Sequence, residues 1–141
     1  MWGNTYRRIA GWINNKGNQV IKLTYGQSDG STVDGYNTDG TGYISTNCTP
    51  AGTSGGYIKK MTFTKYGLIP TVASGSATTY YTDALRFDNS IIGYPAVGGF
   101  SGNGTMVGSF YVYLAKTASG VDFAFTASPS CKPLAPIEEV E

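Results

Sequence analysis

The chain has 141 residues, which is enough for one domain with a hydrophobic core. Its formal net charge of +1 and its scattered basic residues argue against binding to nucleic acid or to anionic lipid. The chain contains no histidine, which excludes a Ser-His-Asp or Cys-His nucleophile and removes the commonest metal ligand. We therefore expect a protein that is not an enzyme, with no cofactor and no metal site.

The N-terminal part predicts short elements separated by turns. Apolar residues recur every three to four positions through 2–13, which predicts one or two helical turns. A turn rich in Asn and Gly follows at 14–18, and the β-branched run at 20–25 predicts a strand. Residues 26–42 contain three Asp-Gly steps, typical of a long ordered loop. A calcium loop built from these three carboxylates is the weaker alternative, because the EF-hand spacing is absent.

The middle of the chain predicts further short strands. Residues 43–46 and the alternating segment 57–63 are strand-like, and a strand at 66–69 is expected to stop at Pro70. Residues 80–87 fit either a strand or one helical turn. The composition of the two intervening segments predicts loops at 49–56 and 73–79.

A glycine-rich segment and two alternating segments follow. Residues 98–108 hold five glycines without the spacing of a phosphate-binding loop, which favours a binding or turn loop. In 109–114 the period of two assigns Phe110, Val112 and Leu114 to a core face, and Tyr111 and Tyr113 to an outward face. Segment 121–126 also alternates, and would extend this aromatic patch if the two strands pair.

Two small sets of reactive side chains leave alternatives open. Cys48 and Cys131 are 83 positions apart, which suits two buried thiols or one disulfide closing a long loop. Asp83 and Asp88 could form a carboxylate pair in a pocket. The simpler interpretation is a salt bridge that holds a loop, with Asp83 lying close to Arg86 in the sequence.

Many short strands among glycine-bearing loops predict an α+β, β-dominated and loop-rich fold with at most two or three short helices. An all-β sandwich is the alternative. We expect one domain over 1–134, followed by an acidic C-terminal tail at 135–141. No apolar run approaches the ~20 residues of a membrane-spanning helix, so we expect no membrane insertion.

The stretches that carry a resemblance to a known family are the opening WGNTYRRIAG, GYNTDGTGYI (35–44), TPAGTSGGYIKKMTFTKYGLIP (49–70), ASGSATTYYTDALRFDN (73–89) and parts of 98–135. The chain resembles structural or receptor-binding-type virion proteins of phages and prophages of gut Bacteroidetes. Its C-terminal region is similar to the C-type-lectin-like, formylglycine-generating-enzyme-like domain of variable proteins of diversity-generating retroelements. The catalytic cysteine pair of that enzyme is missing, so the resemblance implies no oxidase activity.

The resemblance implies a rigid frame that carries variable surface positions. Its frame residues would be Gly98, Gly99, Gly108, Phe110, Val112 and Leu114. Its displayed, ligand-binding surface would be formed by Phe100, Ser101, Asn103, Thr105, Met106, Tyr111, Tyr113, Asp122, Phe123 and Phe125.

The expected function is host-surface receptor binding by a fibre or tail module of a phage virion. The ligand would be a glycan or protein of the bacterial cell surface. Tyr, Ser, Gly and Asn suit such a surface, because Tyr adds contact area at low entropic cost and the others supply adaptable hydrogen bonds. The alternatives are a purely structural capsid decoration or fibre subunit, and an extracellular lectin secreted by a bacterium. We also expect contacts with other virion proteins and a homo-oligomer, with a trimer as first choice.

Overall fold

The computed structural model describes residues 5–22, 36–78, 81–120 and 125–126. These residues form twelve β-strands and a single helical element, a 3-10 helix at Ser101–Met106. The prediction of a β-dominated chain is confirmed. The strands are β1 (Tyr6–Arg8), β2 (Trp12–Asn15), β3 (Asn18–Ile21), β4 (Ile44–Cys48), β5 (Ala51–Gly52), β6 (Gly56–Thr64), β7 (Gly67–Gly75), β8 (Ala84–Phe87), β9 (Ile92–Gly93), β10 (Ala96–Val97), β11 (Val112–Leu114) and β12 (Phe125–Thr126).

The strands form two sheets. The larger sheet has eight strands in the order β12-β1-β10-β11-β8-β6-β7-β5, and the smaller has four in the order β4-β3-β2-β9. The main core contains Leu85, Val112 and Leu114 of the larger sheet, and Trp12 of the smaller sheet packs against it. Strands β8 and β11 therefore lie inside the larger sheet, with strands on both sides of them.

The helical turns expected within 2–13 are wrong, because the described part of this segment forms β1 and β2. Tyr6 and Ile13 are both buried, so their apolar spacing reflects two strands that bury residues in different places. Gly11 separates the strands with φ of +84°, a conformation that ends any regular helix. A period of three to four over so few residues does not distinguish a helix from two short strands.

The turn expected at 14–18 is confirmed. Asn15 and Asn18 are paired across the hairpin of β2 and β3, and the two residues between them both have positive φ. The φ values are +48° at Lys16 and +90° at Gly17, which correspond to a type I′ turn. The strand expected at 20–25 begins earlier, at Asn18, and its last three residues lie outside the described part of the chain.

Strands β6 and β7 form the longest hairpin, and it extends past the expected stop at Pro70. Pro70 is paired with Met61 in the middle of β7, so the predicted end of the strand is wrong. Proline is tolerated there because β5, the other neighbour of β7, pairs only with Val72 and Ala73. Register shifts in the first part of β6 also break the strict alternation expected for 57–63.

Three other predictions concern the second half of the chain. Residues 84–87 form a strand, which decides the alternative left open for 80–87. The strand expected over 109–114 begins only at Val112, after a turn. The pairing of 121–126 with 109–114, left open by the sequence, is not formed by the two described residues of that segment, because β12 pairs in parallel with β1.

Strands β5, β9 and β10 were not predicted, because each has only two residues. The loops expected at 49–56 and 73–79 are wrong in part, because the first contains β5 and the second contains the end of β7.

Candidate functional site

One face of the eight-stranded sheet is rich in tyrosine. Alternate residues of a strand point to the same face, so Tyr111 and Tyr113 share a face, opposite to Val112 and Leu114. Tyr6 of β1 joins them, with its ring centroid 5.6 Å from Tyr111 and 5.3 Å from Tyr113. The face opposite to the main core therefore carries a cluster of three tyrosine rings, which we call the tyrosine face.

Tyr111 is not displayed, so its predicted outward position is wrong. It is 0% exposed, and its hydroxyl lies 3.0 Å from the hydroxyl of Tyr6. Burial is the main cause that raises the pKa of both phenols above the ordinary value of about 10. Phe110 is also misplaced, because it was assigned to the core and is 48% exposed. Strand β11 lies inside the sheet, where both faces can be covered, and Phe110 lies in the turn before it.

The glycine-rich loop covers the buried part of the tyrosine face. Phe100, Met106 and Val107 pack against the cluster that contains Tyr6 and Tyr111. Gly99 has φ of +65°, and a β-carbon there would overlap the side chain of Val107. The loop therefore closes on itself, and glycine is required at this close approach.

Two side-chain hydrogen bonds attach this loop to the sheet. The Tyr6 hydroxyl donates to Oδ1 of Asn103 over 2.7 Å, so the Tyr111 hydroxyl must donate to Tyr6. The same Oδ1 accepts from the amide of Phe100 at 3.2 Å. At the other end of the 3-10 helix, Oγ1 of Thr105 lies 3.0 Å from the hydroxyl of Tyr57 on β6. The loop is held at both ends by residues of different strands.

The predicted ligand-binding residues divide into four groups. Ser101 and Thr105 are exposed at the outer side of the loop. The half-buried group consists of Phe100, Asn103, Met106 and Tyr113, and the buried group is Tyr111 alone. Asp122 and Phe123 lie outside the described residues, and Phe125 is described only as a backbone position of β12.

Asp83 holds the turn that follows the loop. Its buried carboxylate accepts a hydrogen bond from the amide of Phe110, with a distance of 2.6 Å from Oδ2 to the nitrogen. A β-carbon at Gly108 would overlap this carboxylate. The interpretation of Asp83 as a residue that holds a loop is therefore correct, but its partner is a backbone amide rather than Arg86. Asp88 instead accepts from the amide and hydroxyl of Ser90, which lowers its pKa.

Beyond the loop, the tyrosine face carries a row that combines the predicted Tyr113 with two arginines that the sequence did not single out as binding residues. Arg8 is the register partner of Ala96, which is also the partner of Tyr113. Tyr113 is in turn the partner of Arg86 on β8. Arg8, Tyr113 and Arg86 therefore lie in line across the sheet, and we call them the arginine row. The alternation of residues along β1 and along β8 shows which neighbours in the same strand share a face with each arginine. It does not show that the two arginines lie on the same face of one sheet.

A second feature is a polar cleft of about 530 Å³ at the turns of the four-stranded sheet. Lys16 and Asn47 contribute to it, and they are the two non-glycine residues of the described chain with positive φ. Both belong to turns or bulges, and the side chains that line the cleft are amides, hydroxyls and one ammonium. Its lining residues are Lys16, Gly17, Asn18, Ser45, Asn47, Thr49 and Asn89.

The predictions about metal ligands and cysteines concern other parts of the molecule. Among the described residues, no three His, Cys, Asp or Glu side chains come together. Asp39 accepts from the amide of Thr41 at 2.8 Å, and the other two Asp-Gly aspartates lie outside the described residues. Cys48 is buried, and Cys131 lies outside the same ranges.

Comparison of the chain with protein-family models, with curated proteins and with solved structures found no match. No helix in the described part of the chain is long and apolar enough to cross a membrane.

Proposed function

We propose that the chain is a non-enzymatic recognition module of a phage fibre or tail that binds a receptor on the bacterial surface. The observation that carries this proposal is the glycine-rich loop, which presents exposed Ser101 and Thr105 while Tyr6 and Tyr57 hold it to the sheet. A loop fixed in this way loses little conformational entropy on binding, which favours affinity. The virion context rests on the family resemblance.

We propose a C-type-lectin-like fold as the finer description of this β-dominated chain. In this proposal Val112 and Leu114 are frame residues, as expected, and their burial in the main core supports that role. The contact surface consists of Ser101 and Thr105 together with the half-buried side chains of the loop and Tyr113. Tyr111 is left out of it because its ring is buried.

The test is binding to host cells. We expect the double variant Ser101→Ala, Thr105→Ala to bind susceptible cells at least about tenfold more weakly, because each lost hydrogen bond contributes roughly 1 kcal/mol. Tyr57→Phe, which removes only the hydrogen bond that anchors Thr105, should weaken binding less than the double variant. Fluorescently labelled protein titrated onto cells measures the change. Thr38→Ala combined with Thr49→Ala is the matched control, since both threonines are exposed beside the four-stranded sheet. Equal affinity of the two double variants would contradict the proposed site.

One observation favours the alternative of a structural subunit. Phe63 is 82% exposed near the end of the β6–β7 hairpin, and its cross-strand partner Leu68 is 49% exposed. Large exposed apolar patches on a monomer often mark an interface. In this alternative the hairpin packs against another copy or another virion protein.

We expect the protein to form an oligomer, with a trimer as first choice. Phe63→Ser should then shift the equilibrium towards the monomer, because it removes apolar area from the proposed contact. Multi-angle light scattering at micromolar concentration measures the molar mass of both proteins. Lys59→Ser, an exposed position on the same strand, is the control. A wild-type protein that is monomeric under these conditions would refute the expectation.

A further inference from the structure

The arginine row contains a cation whose charge is not balanced by a described carboxylate. The Nε atom of Arg86 is buried and has no hydrogen-bond partner among the described residues. The three aspartates in those residues are engaged elsewhere. Asp39 accepts from Thr41, Asp83 from Phe110 and Asp88 from Ser90.

The position of Arg86 keeps its guanidinium close to the tyrosine face. Gly55, with φ of +86°, lies against its side chain, and a β-carbon at that glycine would be 3.7 Å from both Nε and Cζ. The positive charge is also near enough to lower the pKa of Tyr6 and of Tyr111, although burial has the larger, opposite effect. Nε is itself too deeply buried to contact a ligand, so an anion would bind the half-buried guanidinium through its terminal nitrogens and offset the cost of the unbalanced charge.

The other arginine of the row is engaged with the protein. Arg8 donates from Nη1 to the carbonyl of Tyr94 at 3.0 Å and from Nη2 to the carbonyl of Gly120 at 2.7 Å. Its guanidinium contributes positive charge to the row, but both of its terminal nitrogens already donate to backbone carbonyls. Arg86 therefore supplies the planar fork, which matches one carboxylate with two parallel hydrogen bonds. The same fork also matches a phosphate group, so the preference for a carboxylate depends on the aromatic ring beside it.

Tyr113 lies between the two arginines and is half-buried. An aromatic ring in this position suits the C–H-rich face of a sugar ring, while the adjacent guanidinium suits an acidic substituent. We propose that the arginine row binds an acidic sugar of the hexuronate class, with its carboxylate on Arg86 and its ring against Tyr113. This inference rests on the proposed recognition function and specifies its ligand class.

The experiment is an NMR titration of the whole chain with sodium D-glucuronate. We expect saturable shifts of the Arg86 Nε–H signal, with a dissociation constant on the order of millimolar. Arg86→Gln should weaken binding by at least about tenfold, and Arg86→Lys should also weaken it, because lysine retains the charge but lacks the fork. Arg7→Gln should bind like the wild type, since Arg7 is an exposed neighbour that alternation points to the opposite face.

Two further probes separate the carboxylate from other ligands. D-Glucose tests the sugar ring without the charge, and inorganic phosphate tests an anion without the ring; both should bind at least about tenfold more weakly than glucuronate. Equal binding of glucose or phosphate, or equal losses in Arg7→Gln and Arg86→Gln, would overturn the inference. Absent glucuronate binding together with cell binding that depends on Ser101 and Thr105 would refute the ligand class and leave the recognition function supported.

Discussion

Replacing Tyr111 with alanine is expected to lower the free energy of unfolding by about 3–5 kcal/mol, the usual range for truncating a buried aromatic ring. Tyr111, which directly precedes β11, is fully buried against Tyr6 and the glycine-rich loop, so the truncation would leave a cavity beneath that loop. It would also remove the donor to Tyr6. Urea denaturation followed by circular dichroism measures the change.

Two variants separate the ring from its hydroxyl and from its neighbour. Tyr111→Phe retains the ring and should cost about 1 kcal/mol, because Tyr6 keeps its bond to Asn103. Tyr113→Ala should cost clearly less than Tyr111→Ala, because Tyr113 is half-buried. If Tyr111→Ala and Tyr113→Ala lowered the free energy of unfolding equally, burial would not distinguish the two rings, which would contradict the described packing.

Gly93→Ala is expected to destabilise the protein by about 3 kcal/mol or more, at the upper end of the range for overpacking. A β-carbon at this position would overlap the backbone carbonyl of Leu114. Gly93 belongs to the four-stranded sheet and Leu114 to the eight-stranded sheet, so the overlap lies where the two sheets meet. The amide of the next residue, Tyr94, donates to the backbone carbonyl of Lys116 at 2.7 Å, which restricts any movement of the segment.

Gly56→Ala is the control for this steric effect. At Gly56 the nearest atoms to an added β-carbon are backbone atoms at 3.4 Å, which is close to ordinary contact. We expect its cost to remain below about 1 kcal/mol. Thermal unfolding of both variants and the wild type compares the two positions. A small loss of stability in Gly93→Ala would mean that the sheets can separate locally without breaking the core.

The sequence by itself determined the features that depend on local chemistry. A high content of β-branched and aromatic residues in short runs, separated by glycines, was sufficient to predict a β-dominated chain. The turn at Lys16 and Gly17 follows from the conformational freedom of glycine, and its two residues have positive φ as a tight hairpin requires. The loop at 98–108 was also predictable, because its glycines do not fit a regular strand or helix.

The tertiary structure decided which surfaces are covered and which strands are neighbours. A period of two assigns Tyr111 and Val112 to opposite faces, but it does not show that a loop from another part of the chain covers the tyrosine side. In the same way, the pairing of β12 with β1 and the alignment of Arg8 with Arg86 depend on contacts between residues far apart in the sequence. Such contacts leave no periodic signal in either segment, because each strand is compatible with several neighbours. The loop part of the candidate binding surface was therefore predictable, whereas the arginine row could be identified only from the sheet order.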